Sequence, residues 1–274
     1  MSFERRFLDD EDRFIYYNLD GDYGFPVNKI LHGDCLDLMQ DLPDHSIDMI
    51  LCDLPYGTTQ CKWDTIIPFE PLWREYKRII KEQGVIVLTA SQPFTSALIM
   101  SNIDMFKYEW IWNKKQGGNP LNAKIQPLKI HENILVFGVK PPYYPIMRKG
   151  KMRKKGGLNK QPEHLGKVDL DYSVINDTYY PVSILEKSNA NKRNKVHPTQ
   201  KPVELFEYLI KTYTKEGELV LDNCIGSGTT AIACINTSRN FIGIELDAEY
   251  YKIAVDRVNK TSRNLKSMIV GAEK

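Results

Sequence analysis

The sequence predicts an α/β protein with a doubly wound, mostly parallel sheet, and three observations carry that prediction. Short apolar runs end abruptly on a polar residue, as Ile47 to Cys52 does at Asp53, which is the pattern of a strand buried on both faces that delivers a side chain to its carboxyl end. Stretches of helical periodicity lie between such runs. Finally, Leu221 to Ala231 sets a strand, a glycine loop and a helix in immediate succession, and ligands of sheets of this kind bind beyond the strand carboxyl ends.

Residues 1–27 show acidic and aromatic residues without clear periodicity and read as an N-terminal arm. A regular pattern begins at Asn28, and Ile47 to Cys52 is its first clear strand. Leu72, Tyr76, Ile79 and Ile80 recur at helical spacing before Gly84, and the β-branched run Val85 to Thr89 follows as a second strand,. Tyr108 to Trp112 and Ile134 to Gly138 predict a neighbouring pair of strands, with Lys114 to Lys124 as a polar loop rich in Gly, Asn and Lys between them,. The Trp110 and Trp112 pair is expected to pack the strand. Pro202 opens a helix through Thr212, Leu219 to Asp222 is a strand, Thr229 to Asn236 a helix and Phe241 to Glu245 a strand,. Asp247 is placed to cap a last helix, Ala248 to Val258,.

With 274 residues, 42% hydrophobic and 26% charged, the chain has the material for a real core and lacks the bias of disordered or fibrous sequences,. It contains no internal repeat. Its length suggests one large α/β domain or one domain carrying an insertion. No run approaches the roughly 18 apolar residues of a membrane helix, and the charged stretch Met1 to Asp12 is unlike a signal peptide, so a cytoplasmic protein is expected,. The five cysteines, Cys35, Cys52, Cys61, Cys224 and Cys234, are odd in number and include no C-x-x-C pair, which indicates reduced thiols and neither a disulfide framework nor a zinc site,. His197 has no second ligand at metal-binding spacing, so no metal is expected there,.

The net charge of +2 is unevenly spread: residues 140–195 hold 13 Lys+Arg against 5 Asp+Glu, leaving 24 against 30 for the rest. A basic segment of +8 on a body of −6 favours a polyanion such as nucleic acid, because each neutralised phosphate releases condensed counterions.

Gly226 and Gly228 let the backbone turn sharply and approach a ligand more closely than any Cβ would allow,. Glu245 follows Gly226 by 19 residues at the end of the next strand, where a carboxylate can accept both ribose hydroxyls of a nucleoside. The loop and the acid together predict an adenosine-containing cofactor. Gly226 to Ala231 also satisfies G-x-G-x-x-A, so the spacing leaves a nicotinamide-dependent oxidoreductase open as a second reading,. Cys224 reads as a small buried thiol in this loop.

Asp53-Leu54-Pro55-Tyr56-Gly57 joins a carboxylate, a restricted backbone and an aromatic ring at a strand's end. Pro55 biases Leu54 toward an extended conformation, which can aim the Leu54 carbonyl outward beside the Asp53 carboxylate. The amine of a nucleobase is a poor nucleophile because its lone pair is delocalised into the ring. Two acceptors holding its hydrogens favour a tetrahedral nitrogen whose lone pair can attack an electrophilic methyl. Tyr56 offers a face for stacking an extruded base, worth about 1 to 3 kcal/mol. A thiolate-dependent attack at a cytosine ring carbon is not expected, since the Pro-Cys pair it uses is absent from the sequence,.

Asp53-Leu54-Pro55-Tyr56 resembles the D/N/S-P-P-Y/F/W signature of the S-adenosylmethionine-dependent DNA amino-methyltransferases, and Asp222 to Thr230 resembles their D-P-F-x-G-S-G-T-T cofactor loop. Their order, with the basic segment between them, resembles the β group of that family, over roughly residues 28–258. The resemblance implies the methyltransferase type of doubly wound sheet. It divides the chain into the arm 1–27, a catalytic half 28–139, a basic target-recognition insertion 140–195 and a cofactor-binding half 196–274.

The roles it implies are specific. Asp53, Leu54, Pro55 and Tyr56 are catalytic, and base flipping delivers the target to the Tyr56 pocket. S-adenosylmethionine is held by Asp222, Gly226, Ser227, Gly228, Thr229 and Glu245. Gly33-Asp34-Cys35 matches an early block in which Asp34 and Cys35 approach the cofactor, and His197 to Pro202 matches a block in which Lys201 helps wrap its methionine part. Lys149, Lys151, Arg153, Lys154 and Lys155 are candidate DNA contacts. An aspartate at position 53 resembles the adenine-modifying members, so N6 of adenine in double-stranded DNA is the expected target, with N4 of cytosine the alternative. Leu54 stands where the family has a first proline, which is expected to loosen the loop, and Asn223-Cys224 replaces Pro-Phe. The resemblance implies a bacterial or phage enzyme, allows a homodimer, and leaves any restriction nuclease to a separate chain.

Overall fold

A computed structural model describes residues 3–8, 13–18, 23–24, 26–57, 64–118, 120–155, 174–188 and 200–272. The chain divides into a larger unit, residues 1–144 with 183–274, and a smaller one, residues 145–182.

Within the larger unit, β1 (Phe3–Leu8), β2 (Arg13–Asn18) and β3 (Tyr23–Gly24) form a three-stranded antiparallel sheet where the sequence suggested an arm without regular structure. The chain continues through β4 (Lys29–His32), α1 (Cys35–Gln40), β5 (Ile47–Cys52), α2 (Phe69–Ile79), β6 (Ile80–Ala90), α3 (Phe94–Ser101), β7 (Phe106–Gly118) and β8 (Lys129–Phe137). After the smaller unit come β11 (Ile184–Glu186), α4 (Val203–Tyr213), β12 (Leu219–Asp222), α5 (Thr229–Asn236), β13 (Asn240–Glu245) and α6 (Ala248–Ala272). Helices α1 and α3 were not anticipated from periodicity, being too short to repeat a pattern. β7 runs six residues beyond Trp112 into the expected loop, and α6 continues past Val258.

The main sheet has the order β11-β7-β8-β6-β5-β12-β13-β4. β8 pairs antiparallel with both its neighbours, and every other pairing is parallel, so seven of the eight strands point one way. Alternation along the strands feeds two cores. Ile50, Cys52, Ile86 and Leu88 pack with Leu72 and Tyr76 of α2 and with Leu98 of α3. Met49, Leu51, Val85 and Val87 pack on the other side with Leu205 and Leu209 of α4 and Ala231 of α5. Helices thus cover both faces, as the apolar runs predict. Trp110 and Trp112 join the second core, and the Trp110 indole N–H donates to the Tyr213 hydroxyl at 2.6 Å.

The strands β12 and β5 are parallel neighbours, with Val220 opposite Met49 and Leu221 opposite Ile50. From β12 the sheet grows through β13 on one side, and from β5 through β6 on the other. The carboxyl ends of β5 and β12 therefore open a crevice at a topological switch point, the position where such sheets bind ligands.

The smaller unit pairs β9 (Arg148–Lys155) antiparallel with β10 (Val174–Tyr179), irregularly between Asn176 and Thr178. It is narrower than residues 140–195. Tyr144 N–H donates to the Thr212 carbonyl at 2.7 Å, and Ile184 to Glu186 pairs in parallel with Ile111 to Asn113, so both flanks of the basic segment are built into the larger unit.

Candidate functional site

The two loops leave adjacent strands and line one cavity of about 840 Å³, well within the size range of ligand pockets. Asp53, Leu54, Pro55 and Tyr56 line it, together with Asp34, Cys35, Lys201, Asp222, Gly226, Ser227, Thr229 and Glu245. Of the expected cofactor residues only Gly228 is absent from the lining. It caps α5 with φ +86°, and a Cβ there would lie 3.3 Å from the Ala254 backbone of α6, so this glycine lets the helices approach each other,. Gly226 also has a left-handed φ of +53°, and nothing lies within 4 Å of the position a Cβ would take. The turn needs its backbone freedom, and the space beside it is open.

At the cofactor end, Glu245 Oε2 accepts from the Gly226 N–H at 2.7 Å and Oε1 from the Asp247 N–H at 2.9 Å. This ties the end of β13 to the glycine loop. Asp222 accepts from the Thr230 hydroxyl and, at 3.1 Å, from the Cys224 N–H. Burial pushes its carboxyl up to about 7, and these donors offset that only in part,. Asp34 caps α1, its Oδ1 accepting from the Leu36 N–H at 2.7 Å.

Asn223, one of the two departures in the loop, is buried, and its Oδ1 accepts from the Tyr76 hydroxyl at 2.6 Å. Its amide lies 3.5 Å from Cys35 Sγ and 3.6 Å from Cys224 Sγ. Asn223 therefore fixes the loop by polar contacts where the family pattern has Pro-Phe. Burial pushes the neighbouring Cys52 thiol up to about 12, so it stays a neutral packing group,.

At the other end, Asp53 is held on both oxygens. Oδ1 accepts from the Tyr56 hydroxyl at 2.8 Å and from the Thr89 hydroxyl; Oδ2 accepts from Lys201 Nζ at 2.7 Å. The Tyr56 ring stacks on Phe94 with centroids 5.3 Å apart. Leu54 does not leave the loop loose as its substitution for proline suggested. Its side chain is buried in the first core and anchors the turn there.

Lys201, expected on the cofactor, lies 3.3 Å from Glu132 Oε2 as well as on Asp53, and Glu132 Oε1 pairs with Lys114 at 3.0 Å. Two carboxylates and two ammonium groups form a chain that balances its own charge. Burial alone would raise the Glu132 carboxyl, but Lys201 and Lys114 outweigh it and hold it below the usual range. Burial alone would lower Lys201, but Asp53 and Glu132 hold it above the usual lysine range. The stabilisation from Glu132 is therefore full above the ordinary glutamate range and is lost as pH falls through its lowered value. Replacing Glu132 by Gln leaves buried cations underbalanced and is expected to cost about 3 kcal/mol of stability in urea unfolding at neutral pH. The loss shrinks in acid, as a titration of the midpoint against pH would show.

Thr89, Glu132, Lys114 and Phe94 were not among the sequence candidates. A signal for Thr89 was present: it is the polar residue ending the apolar run from Val85, as Asp53 ends the run from Ile47. Glu132 lies opposite Trp112, and Lys114, two residues further along β7, reaches it diagonally, a register the sequence alone does not reveal. Lys149, Lys151 and Arg153 are exposed on β9 of the smaller unit. Lys154 and Lys155 belong to that strand, although nothing is described of their side chains, and His197 and Cys61 lie outside the described residues.

The model of a protein family described as DNA methylase, covering N6 and N4 methyltransferases, matches residues 47–256, most of the chain. The chain belongs to this family. It is 28% identical over 257 residues to the type II methyltransferase M.HpaI of Haemophilus parainfluenzae, covering 84% of this chain and 74% of that protein. It is 27% identical to the type II methyltransferase M1.MboII of Moraxella bovis, over 87% of this chain and 99% of that one. Among solved structures, the M1.HpyAVI–SAM complex superposes with a TM-score of 0.57 at 25% identity, covering 84% of this chain and 98% of that one. The cytosine-N4-specific PvuII DNA methyltransferase gives 0.61 at 17% identity, covering 86% and 90%, a likeness of fold. The doubly wound sheet expected from the sequence is thus the methyltransferase fold, and the nicotinamide-dependent reading is not favoured. No helix among the described residues is long and apolar enough to cross a membrane.

Proposed function

We propose that this DNA methylase transfers a methyl group from S-adenosylmethionine to the N6 amine of adenine in double-stranded DNA, after the base has been flipped into the cavity. The observation that carries the reading is that Asp53 and Gly226 line one and the same cavity. Its cofactor end suits the donor. Asp34, Asp222, Glu245 and Asp247 line it, an acidic set for a molecule bearing a sulfonium and an ammonium, and the open space beside Gly226 admits close backbone contact. When bound, the cofactor supplies an electrophilic methyl on sulfur.

The chain's own residues supply the rest. Glu245 is placed for the ribose hydroxyls and Asp222 for the cationic amine. Asp53 and the Leu54 carbonyl accept the hydrogens of the base amine, freeing the nitrogen lone pair. Lys201, Thr89 and Tyr56 fix the Asp53 carboxylate in one orientation, so no reorganisation is needed as charge develops on the nitrogen. With the cofactor bound, the new bond from the nitrogen to the methyl carbon would replace the carbon–sulfur bond, whose electron pair would stay on sulfur as a neutral thioether, and the amine would give up one proton, for which Asp53 is the assigned base. Tyr56, backed by Phe94, offers the stacking face for the extruded base. The exposed lysines of β9 are assigned to phosphate contact. The reading allows a homodimer and leaves any restriction nuclease to a separate chain.

Adenine is preferred to cytosine on the Asp53 carboxylate, the feature by which the catalytic loop resembles adenine-modifying members. The test is to incubate the protein with unmethylated DNA and S-adenosylmethionine, digest to nucleosides and identify the product by mass spectrometry. N6-methyladenine is the expected product. N4-methylcytosine would overturn the choice of base, and no methylated nucleoside would overturn the activity.

Asp222 gives the site a pH dependence. Its raised carboxyl is neutral below about 7, so stability from this group is full in acid and is lost as pH rises through that value. Affinity for the cationic cofactor runs the other way and increases across the same range. Calorimetric titration of S-adenosylmethionine between pH 5.5 and 8.5 should show the rise, and Asp222→Asn should flatten it.

A further inference from the structure

The hairpin joining β7 to β8 carries an apolar tip that the described residues leave exposed. Its crest is a short 3-10 turn, Pro120–Asn122. Leu121 is 92% exposed and Ile125 81% exposed. Leaving two aliphatic side chains so fully in water gains the fold nothing, since burying either would be favourable. β7 points the same way as β5 and β12, so the hairpin rises from the edge of the sheet at which the cavity opens. Lys114 on β7 and Glu132 on β8 line that cavity from the hairpin's base.

Charge selects the occupant. Residues 114–130 contain four lysines, at 114, 115, 124 and 129, and no acidic residue. Lys114 and Lys115 are paired with Glu132 and Glu186, whereas Lys124 at the tip is exposed. A two-fold contact between copies of this chain would set one basic tip against another. A polyanion is attracted. We propose that this tip docks on duplex DNA and inserts Leu121 and Ile125 into the stack where the target base has left. Apolar wedges between base steps act in this way in proteins that unstack DNA, and filling the gap offsets part of the unpairing and unstacking cost of flipping.

The inference rests on the proposed DNA methyltransfer, and its test separates the two. The variant Leu121→Ser with Ile125→Ser changes only exposed side chains, and S-adenosylmethionine affinity serves as its folding control. Once the modified sequence has been mapped from the methylated DNA, two duplexes are compared: one fully paired, and one with an abasic site opposite the target base, in which the base is already unpaired. The double variant is expected to lose at least about tenfold in kcat/KM on the paired duplex, corresponding to about 1.4 kcal/mol of the unstacking cost. On the abasic duplex it should remain within about twofold of the parent chain. An equal loss on both duplexes, or no loss on either, overturns the wedge, as does a parent dimer that the variant converts to monomer with its activity on paired DNA intact. If the parent chain methylates no DNA, the failure lies with the proposed function.

Discussion

Replacing Asp53 by alanine is expected to lower methyl transfer about a thousandfold while cofactor binding persists, because the substitution removes the acceptor that the proposed function assigns to the reacting nitrogen and leaves Glu245 at the other end of the cavity unchanged. The effect should exceed loss of one hydrogen bond. Asp53 is the anchor of Lys201, Thr89 and Tyr56, so its removal frees the ring on which the base stacks and leaves the buried Lys201, 7% exposed, on Glu132 alone. Asp53→Asn separates these contributions. It keeps an oxygen for the amine but loses the charge that balances Lys201, so it should retain more activity than alanine and remain well below the parent chain. Single-turnover rates with radiolabelled cofactor measure the loss, and equilibrium dialysis checks that binding survives. Full activity in Asp53→Ala would overturn the assignment of the amine-orienting group.

Glu245→Ala is expected to weaken S-adenosylmethionine binding by about 10- to 100-fold, on the scale of hydrogen bonds to a charged group. The proposed function assigns the carboxylate to two ribose hydroxyls, and it also accepts the Gly226 and Asp247 N–H groups that shape the pocket wall. Losing it therefore removes ligand contacts and relaxes the turn together. Glu245→Gln retains one acceptor oxygen and should sit between the two. Isothermal titration calorimetry reads the affinities. Because the defect is in binding, saturating cofactor should restore much of the turnover in Glu245→Gln, whereas no cofactor concentration restores Asp53→Ala.

Much of the candidate site is legible in the sequence, and the reason is geometric. An apolar run that stops on an acid marks the carboxyl end of a buried strand, so Asp53, Asp222 and Glu245 announced themselves, and Gly226 with Gly228 marked the turn between strand and helix. These are local signals, each contained within a dozen residues. The family resemblance points to Lys201 as a cofactor residue and says nothing of its ion pairs. Its engagement with Asp53 and Glu132 depends on contacts between residues 148 and 69 positions apart. Glu132, Lys114 and Thr89 acquire their partners only through strand register, which no window of the sequence contains. The parallel pairing of Ile184 to Glu186 with β7 is hidden for the same reason: charge marks 140–195 as one basic segment, and no local signal shows that these three residues join the main sheet.

The strand order has a consequence for how the protein is made. Between β4 and β5, neighbours in sequence, the sheet seats β13 and β12, which are synthesised only after Leu219 is reached. A nascent chain emerging from the ribosome thus holds two unpaired edges open for most of its translation and cannot form the crevice until its last strands arrive. Chains cut short before Glu245 would carry the base-handling loop on an incomplete scaffold, with bare backbone donors and acceptors exposed to aggregation.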